Sequence, residues 1–519
     1  MLCLVSITIS AQTICYVSPD GDDSSGNSWA TAFRTISNGV SHATGVTNTV
    51  LVSNGIYTIS TPIVISSAIT VTSLNGRAWT SVNGGGTSKC LQINHSNAVV
   101  DGFTISNGCT ETTDYNSSGG GVRLSRGLLR NCEVSRNTAN RYGGGICFDE
   151  TSTNAMALDC LIANNQTTQT VTYSFGGGVY LQGNGSIVSG CTIQGNSCLI
   201  RGGGVFVSRG QALLIDRCVI SNNTASSSYG GGIHFDGTWS LVSATASYCT
   251  VVNNIGAGVK FDYGAPATVE NSTIARNTRG VYFTGTTNFV ALAKNCIVNE
   301  NSNATDVCGG IYFSQGGTAQ NCQIVSNYST FDGGGVYMSK GGRLLNCLVA
   351  YNTALPSSSR YGGGVLMHTM TQDNGSAVSA CTIVSNVAYR GGGMCFTLST
   401  NTNFVVNCII ASNTASNAGN DFYDASSQSS NAFCYSCINI GTLATDKNNI
   451  TNREPLFVGS AVGNFRLQSA SPCIDAGINE AWMNGALDLD GRPRWDRFRG
   501  QVDMGAYEHL SEGTLFMMR

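Results

Sequence analysis

The chain has 519 residues, and its 27 Lys and Arg against 30 Asp and Glu leave a net charge of −3. Charged residues are only 11% of the chain, which excludes the basic surface a nucleic-acid binder uses to displace counterions. A hydrophobic content of 41% excludes disorder, and no apolar run is long enough for a membrane-spanning helix.

Residues 1–13, MLCLVSITISAQT, run apolar from Leu2 to Ile9 and then small at Ser10 and Ala11. That is the layout of part of a secretory signal peptide, without its positive start; a buried first strand is the alternative. Residues 14–47 read as an N-terminal cap. Within them Ala32, Phe33, Ile36, Val40 and Ala43 fall on one helical face between Ser28 and Ala43, which predicts a capping helix. The first strands follow around Val50, Val52 and Tyr57.

Residues 48–440 are governed by repetition. Eleven times a Cys is followed two residues later by an aliphatic side chain and five later by Asn, as in CEVSRN at Cys132 and CTIVSN at Cys381; only Ser272 replaces the Cys. Between these lie Gly runs followed by alternating apolar residues, as in GGGICF from Gly143 and GGGVYM from Gly333. The pattern recurs about every 27 residues, with a period of two inside each short strand and no helical period. This predicts an all-β fold, a right-handed parallel β-helix whose coils stack about 4.8 Å apart. The Cys become an inward column of small buried thiols, unpaired because parallel Cβ vectors keep neighbouring Cβ atoms too far apart for a disulfide. The Asn become a column bonding the turns, and the Gly runs a tight corner.

Alternation along the Gly-run strand places Arg123, Cys147, Tyr180, Phe206, His234, Lys260, Tyr282, Tyr312 and Tyr337 in one outward column. A neighbouring outward column holds Gln182, Ser208, Asp236 and Asp262. Asp236 and Asp262 then stand about 5 Å apart on adjacent coils, beside His234 and Lys260. Two close carboxylates can divide into an acid and a base for glycoside chemistry, or hold Ca²⁺ with oxygen ligands. Tyr180, Phe206, Tyr282, Tyr312 and Tyr337 would offer ring faces to sugars. The plain alternative is an ordinary sheet face with aromatic pairs. Elsewhere Asp488 and Asp490, with Asp475 and Asp503, are a second Ca²⁺ candidate, although their spacing fails the EF-hand pattern. The CxxC at Cys434 and Cys437 lacks a second pair at zinc spacing. No metal site is assigned and no cofactor is expected.

After Asn413 the pattern fades, and residues 441–510 have a different composition, followed by a tail at 511–519. The segments PLFVGSAVGNFRLQSASPCIDAG, DLDGRPRWD and VDMGAYE ending at Glu508 resemble the C-terminal module of choice-of-anchor Q proteins. The opening from Tyr16, YVSPDGDDSSGNSWATAFRTISNGV, is similar to the start of the same bacterial proteins. The central repeats also resemble those of polymorphic outer-membrane proteins. The resemblance implies an exported bacterial β-helix protein, secreted or held at the cell surface or envelope. The chain departs from both groups: it ends at HLSEGTLFMMR with neither an apolar anchor nor a barrel pattern.

Three functions compete. The favoured one is an adhesin-like or envelope structural and binding protein, acting as a monomer on a polysaccharide or cell-surface partner. The second is a polysaccharide lyase or glycoside hydrolase using Asp236 and Asp262 with His234 and Lys260. The third is glycan binding without turnover. The link from Asn254 to Gly256 is a single residue, which leaves little wall for a cleft and favours binding over chemistry. The Asp-rich and Gly-His-Gly signatures of polygalacturonase-like enzymes are also missing from the sequence.

Overall fold

A computed structural model of the protein describes residues 14–43, 48–110, 118–169, 173–225, 229–238, 242–285, 291–355, 359–368, 376–397, 404–425, 432–438, 447–495 and 500–509. The candidate signal segment at residues 1–13 and the tail from 510 onward lie outside the described residues. The chain divides into two compact units, Met1–His234 with Trp239–Thr245, and Phe235–Thr238 with Ala246–Arg519. Each is a right-handed parallel β-solenoid made of short strands with very little helix. Among the described residues no helix is long and apolar enough to cross a membrane.

The first unit begins with strand Ile14–Val17, paired in parallel with Thr49–Val52. The helix expected over residues 28–43 is confined to Ile36–His42, after a single 3₁₀ turn at Trp29–Thr31. Phe33 explains the break: its N–H donates to Tyr16 O and its carbonyl accepts from Ser18 N, both at 2.9 Å, so the chain is extended there. Thr35 then caps the short helix, its hydroxyl accepting from Asn38 N at 3.1 Å.

One coil of this unit shows how the repeat becomes structure. Strands Val122–Leu124 and Leu128–Arg130 lie on one sheet, and Glu133–Ser135 on a second. Asn131 and Arg136, at the two ends of the latter strand, are left-handed, with φ of 52° and 55°. Each bends the chain sharply between faces, which is why the residue before each Cys and the residue before each Asn hold the corners. Thr138–Ala139 forms the short third face, and the Gly run closes the coil. At that corner Gly143 needs its φ of 61°, while Gly144 has no room for a side chain. A Cβ on Gly144 would sit 2.4 Å from Gln166 O and 2.5 Å from Gly177 O.

The Asn column is a buried ladder in both units. In the first, Asn137 receives nothing from solvent: its Nδ2 donates to Asn165 Oδ1 and to Ile105 O, each at 3.0 Å. Asn165 repeats this to Asn196, and Asn196 to Asn223. In the second unit the ladder runs from Asn254 through Asn277, Asn301, Asn327, Asn352 and Asn386 to Asn413, and ends on the Asp421 carboxylate. The Cys column is also a hydrogen-bonding column. Cys322 N donates to Cys347 Sγ at 3.4 Å, and the Cys322 thiol reaches Gln320 O at 3.3 Å. Ser272 does the same with oxygen, accepting from Cys249 N at 3.0 Å and donating to Glu270 O at 2.7 Å. The one exception in the repeat therefore preserves the bonds and changes only the atom. All cysteines among the described residues are free thiols, and burial pushes Cys132 up to about 12.

Inside the second unit Phe261, Phe283 and Phe313 stack at 4.8 and 4.9 Å with interplanar angles of 5° and 2°. Parallel strands set that spacing, so equal side chains in equal rotamers must stack face to face.

The segment from residue 447 onward packs on the outer face of the last coils of the same unit. An antiparallel pair, Phe457–Gly459 with Asn464–Leu467, departs from the parallel rule. Phe465, Ala506 and Tyr507 cover Leu348, Ala350 and Val384, while Leu467, Cys473 and Met504 cover Ile409, Ala411 and Cys437. The carboxylates proposed for Ca²⁺ are used as turn acceptors here. Asp488 receives the N–H groups of Asp490, Arg492 and Glu508, each at 2.8 Å. Asp503 receives those of Asp475 and His509. Among the described residues no group of three or more His, Cys, Asp or Glu is arranged to hold a metal ion.

Candidate functional site

The strand register agrees with the alternation read from the sequence. Tyr180 pairs with Phe206, Lys260 with Tyr282, Tyr282 with Tyr312 and Tyr312 with Tyr337, all pointing away from the lumen. The expectation that this column meets solvent is not met. Phe206 and His234 are 0% exposed, and Cys147, Tyr180, Lys260 and Tyr337 are buried as well; Arg123, Tyr282 and Tyr312 are half-buried. The segments that approach the Gly runs fold back across the outside of the column. In the first unit Tyr142 and Phe175 close over Cys147, Tyr180 and Phe206. In the second, Cys308 closes over Tyr337, Leu366 and Cys395, with Tyr361 packed alongside. Each unit thus has a small apolar cluster outside its lumen, supplied by residues that alternation alone leaves unassigned.

The carboxylate pair shares this burial. Asp236 is 1% exposed, and its Oδ1 accepts from Thr238 N at 2.7 Å and from the Thr238 hydroxyl. Asp262 is on the adjoining rung, its carbonyl accepting from Gly237 N at 3.0 Å. Its carboxylate pairs with Lys260 Nζ at 3.3 Å and accepts from the Thr284 hydroxyl. The Lys260 ammonium also lies 4.9 Å from the centre of the Tyr282 ring. His234 belongs to the first unit, where it stacks on Phe206 at 5.2 Å and its Nδ1 accepts from Gly230 N at 3.3 Å. Within the second unit Asp236, Lys260 and Asp262 thus engage Thr238, Tyr282 and Thr284 and one another's strands, while His234 is held inside the first unit by Phe206 and Gly230.

In the first unit the fold-back leaves a cleft of about 510 Å³. Its apolar wall is aromatic. Tyr142 stands 4.8 Å from Tyr180 and 5.8 Å from Phe175, and Phe175 stacks on Phe206 at 4.6 Å. Tyr173, half-buried at the rim, meets Phe175 edge-on at 6.3 Å. The Arg141 guanidinium covers Tyr173 at 4.9 Å. The polar wall is formed by Gln182, Ser208, Glu150 and Arg209, the last two pairing at 3.9 Å while remaining about half exposed. Next to Glu150, Asp149 is buried and held by Arg123 at 2.6 Å, by Ser125 at 2.9 Å and by Thr151. Burial alone would raise the Asp149 carboxyl, but the hydrogen bonds from Thr151 and Arg123 outweigh it and hold it below the usual range. Asp149 therefore stays ionised, next in sequence to the lining residue Glu150.

Sequence reasoning found Tyr180, Phe206, Gln182 and Ser208 as one strand face but missed Arg141, Tyr142, Glu150, Tyr173, Phe175 and Arg209. A signal was present. The position immediately before the Gly run is aromatic or arginine at Tyr142, Phe175, Arg201, Tyr229, Tyr361 and Arg390. Isolated parallel bridges join Tyr142 to Phe175, Phe175 to Arg201, and Tyr361 to Arg390, so these positions stack in register.

A family profile described as right handed beta helix region matches residues 177–354. No curated protein matches the sequence. Among solved structures, the Dettilon tailspike protein is 14% identical over 82% of this chain and 70% of its own, with a TM-score of 0.40. Pectate lyase Pel9A is 15% identical over 97% and 98%, with a TM-score of 0.27. PfbA, a surface adhesin of Streptococcus pneumoniae, is 11% identical over 78% and 87%, with a TM-score of 0.31.

Proposed function

We propose that this protein binds polysaccharide without turning it over, through the aromatic cleft of its first unit, as an adhesin-like or envelope component outside the cell. The cleft carries the reading. It sets the half-buried Tyr173 ring and the exposed Glu150–Arg209 pair at its opening, over a wall of Tyr142, Tyr180, Gln182 and Ser208. A sugar has the matching duality, with an apolar C–H face for a ring and equatorial hydroxyls for amides and charged groups. The export part of the proposal rests on the apolar start of the chain and on the resemblance of its C-terminal segments to envelope proteins.

A hydrolase or lyase reading needs a carboxylate that reaches substrate. Asp236 and Asp262 support it less well than the cleft supports binding, because both are buried and occupied by Thr238, Lys260 and Thr284. The test is incubation of the full chain with a panel of plant, algal and bacterial polysaccharides, reading depletion onto the polymer and released oligosaccharide together. Binding without product is expected, with Tyr173→Ala weakening it about tenfold, or about 1.4 kcal/mol, within the range of one aromatic contact. Product formation that disappears in Asp236→Asn/Asp262→Asn would overturn the proposal and establish an enzyme.

A further inference from the structure

Arginine recurs beside the aromatic residues that approach the Gly runs, and two of these arginines carry no carboxylate. Arg141 lines the cleft over Tyr173, forms no ion pair among the described residues, and its buried Nε has no acceptor. In the second unit, Arg390 stands at the corresponding approach to Gly391. Its guanidinium lies 5.3 Å from the Tyr423 ring, 5.5 Å from Tyr389 and 6.0 Å from Tyr361. Its polar bonds go to neutral groups, Asn417 Oδ1 at 3.0 Å and Tyr361 Oη at 3.3 Å. Arg360, one coil earlier, covers Phe331 at 4.5 Å. Other arginines of this weakly charged chain do have a carboxylate, as Arg123 has Asp149, Arg279 has Asp306 and Arg466 has Asp490.

We infer that the polysaccharide recognised by these positions is anionic, bearing carboxylate or sulfate groups along its length. This rests on the glycan-binding reading above and adds the class of ligand. A guanidinium held flat on tyrosine rings is fixed in direction and keeps its outer N–H fork for a planar or tetrahedral anion. A neutral sugar would leave that charge partly desolvated and unpaired as the polymer settles, which costs affinity. The arrangement suits a linear polymer, since the positions before the Gly runs stack by one strand separation and place Arg201 in register with Phe175 in the first unit and Arg390 in register with Tyr361 in the second.

The experiment measures binding of the full chain to matched polymers: polygalacturonate and alginate beside their methyl esters, and dextran sulfate beside dextran. The carboxylated and sulfated arms separate the two sources of charge. Retention on at least one charged polymer, about tenfold tighter than on its neutral counterpart and falling steeply with added salt, is the expected result. Arg141→Gln and Arg390→Gln each weaken it severalfold, whereas Arg136→Gln, at an exposed corner, does not. Equal binding of charged and neutral forms overturns the anionic class while leaving glycan binding intact. Charged-polymer binding indifferent to both arginine variants overturns the assignment of these residues. No binding to any polymer removes the glycan reading and this inference together.

Discussion

Cys322 is surrounded by the second unit's interior, yet its role is polar as much as apolar. Its N–H donates to the sulfur of Cys347 and its thiol to Gln320 O, at the corner made by the left-handed Asn321. Cysteine suits this place because the residue must be small, tolerate a dry site and still donate weakly. Ser272 and Ser436 fill the same position and accept from Cys249 N and Cys408 N at 3.0 and 3.2 Å. The prediction separates bonding from burial. Cys322→Ser is expected to change the unfolding free energy by less than about 1 kcal/mol, because both bonds survive. Cys322→Val, apolar and slightly larger, is expected to cost about 2–3 kcal/mol through lost bonds and crowding. Urea denaturation of the two variants decides the matter, and a valine variant as stable as the parent would return the column to simple apolar packing.

The corner made by three glycines is where an element-level constraint is strictest. At Gly363 the backbone needs no special φ, but a Cβ would lie 2.4 Å from Val387 O and 2.5 Å from Gly392 O. Both are backbone atoms of the next coil and cannot swing away. Gly491 is the opposite case, with a φ of 79° and nothing within 4 Å. Gly363→Ala is therefore expected to cost about 3 kcal/mol or more and to lower the yield of folded protein, while Gly491→Ala costs about 1 kcal/mol. Comparable losses at both sites would mean that φ, and not space, sets the glycine requirement. The same corner explains what the sequence made legible. A period of two fixed the register from Tyr180 to Phe206 and from Lys260 to Tyr337, and the Asn and Cys columns fixed the inward set. The path of the segment before each Gly run carries no period, so its return over Tyr180 and Phe206 was not readable. The cleft is made of that segment, and Arg141 and Tyr173 escaped notice with it. The capping helix was over-extended for a related reason: Phe33 satisfies a helical pattern while its backbone pairs with Tyr16 and Ser18.

For the molecule as a whole, the question is what keeps a solenoid's apolar outer face from exposure where repeats give way to other chain. In the second unit the residues after 447 do this, and a buried charge cluster pins them. Arg494, 1% exposed, donates to Gly505 O at 2.7 Å and Asp503 O at 3.1 Å, and reaches Asn346 of the coils at 3.3 Å. It also faces Glu508 at 3.2 Å. Burial raises the Glu508 carboxyl to about 8, with Arg494 opposing and the neighbouring Asp503 adding to it; burial raises Asp503 too. The sign of the resulting pH dependence follows. Between the ordinary value of 4.5 and about 8, the folded protein holds a proton on Glu508 that the unfolded chain has released. That contribution is complete below the lower value and is lost as pH rises through the upper one. Its slope is at most about 1.4 kcal/mol per pH unit, with no further loss above the folded value. Glu508→Gln mimics the protonated side chain, keeps an acceptor for Asp503 N, and cannot ionise. The variant is expected to match the parent in mildly acid solution and to exceed it progressively as pH rises toward 8, in urea midpoints read at each pH. Parallel curves for the two proteins would show that Glu508 is ionised throughout, paired with Arg494, and that the cluster holds the C-terminal segment by charge attraction instead of by a shared proton.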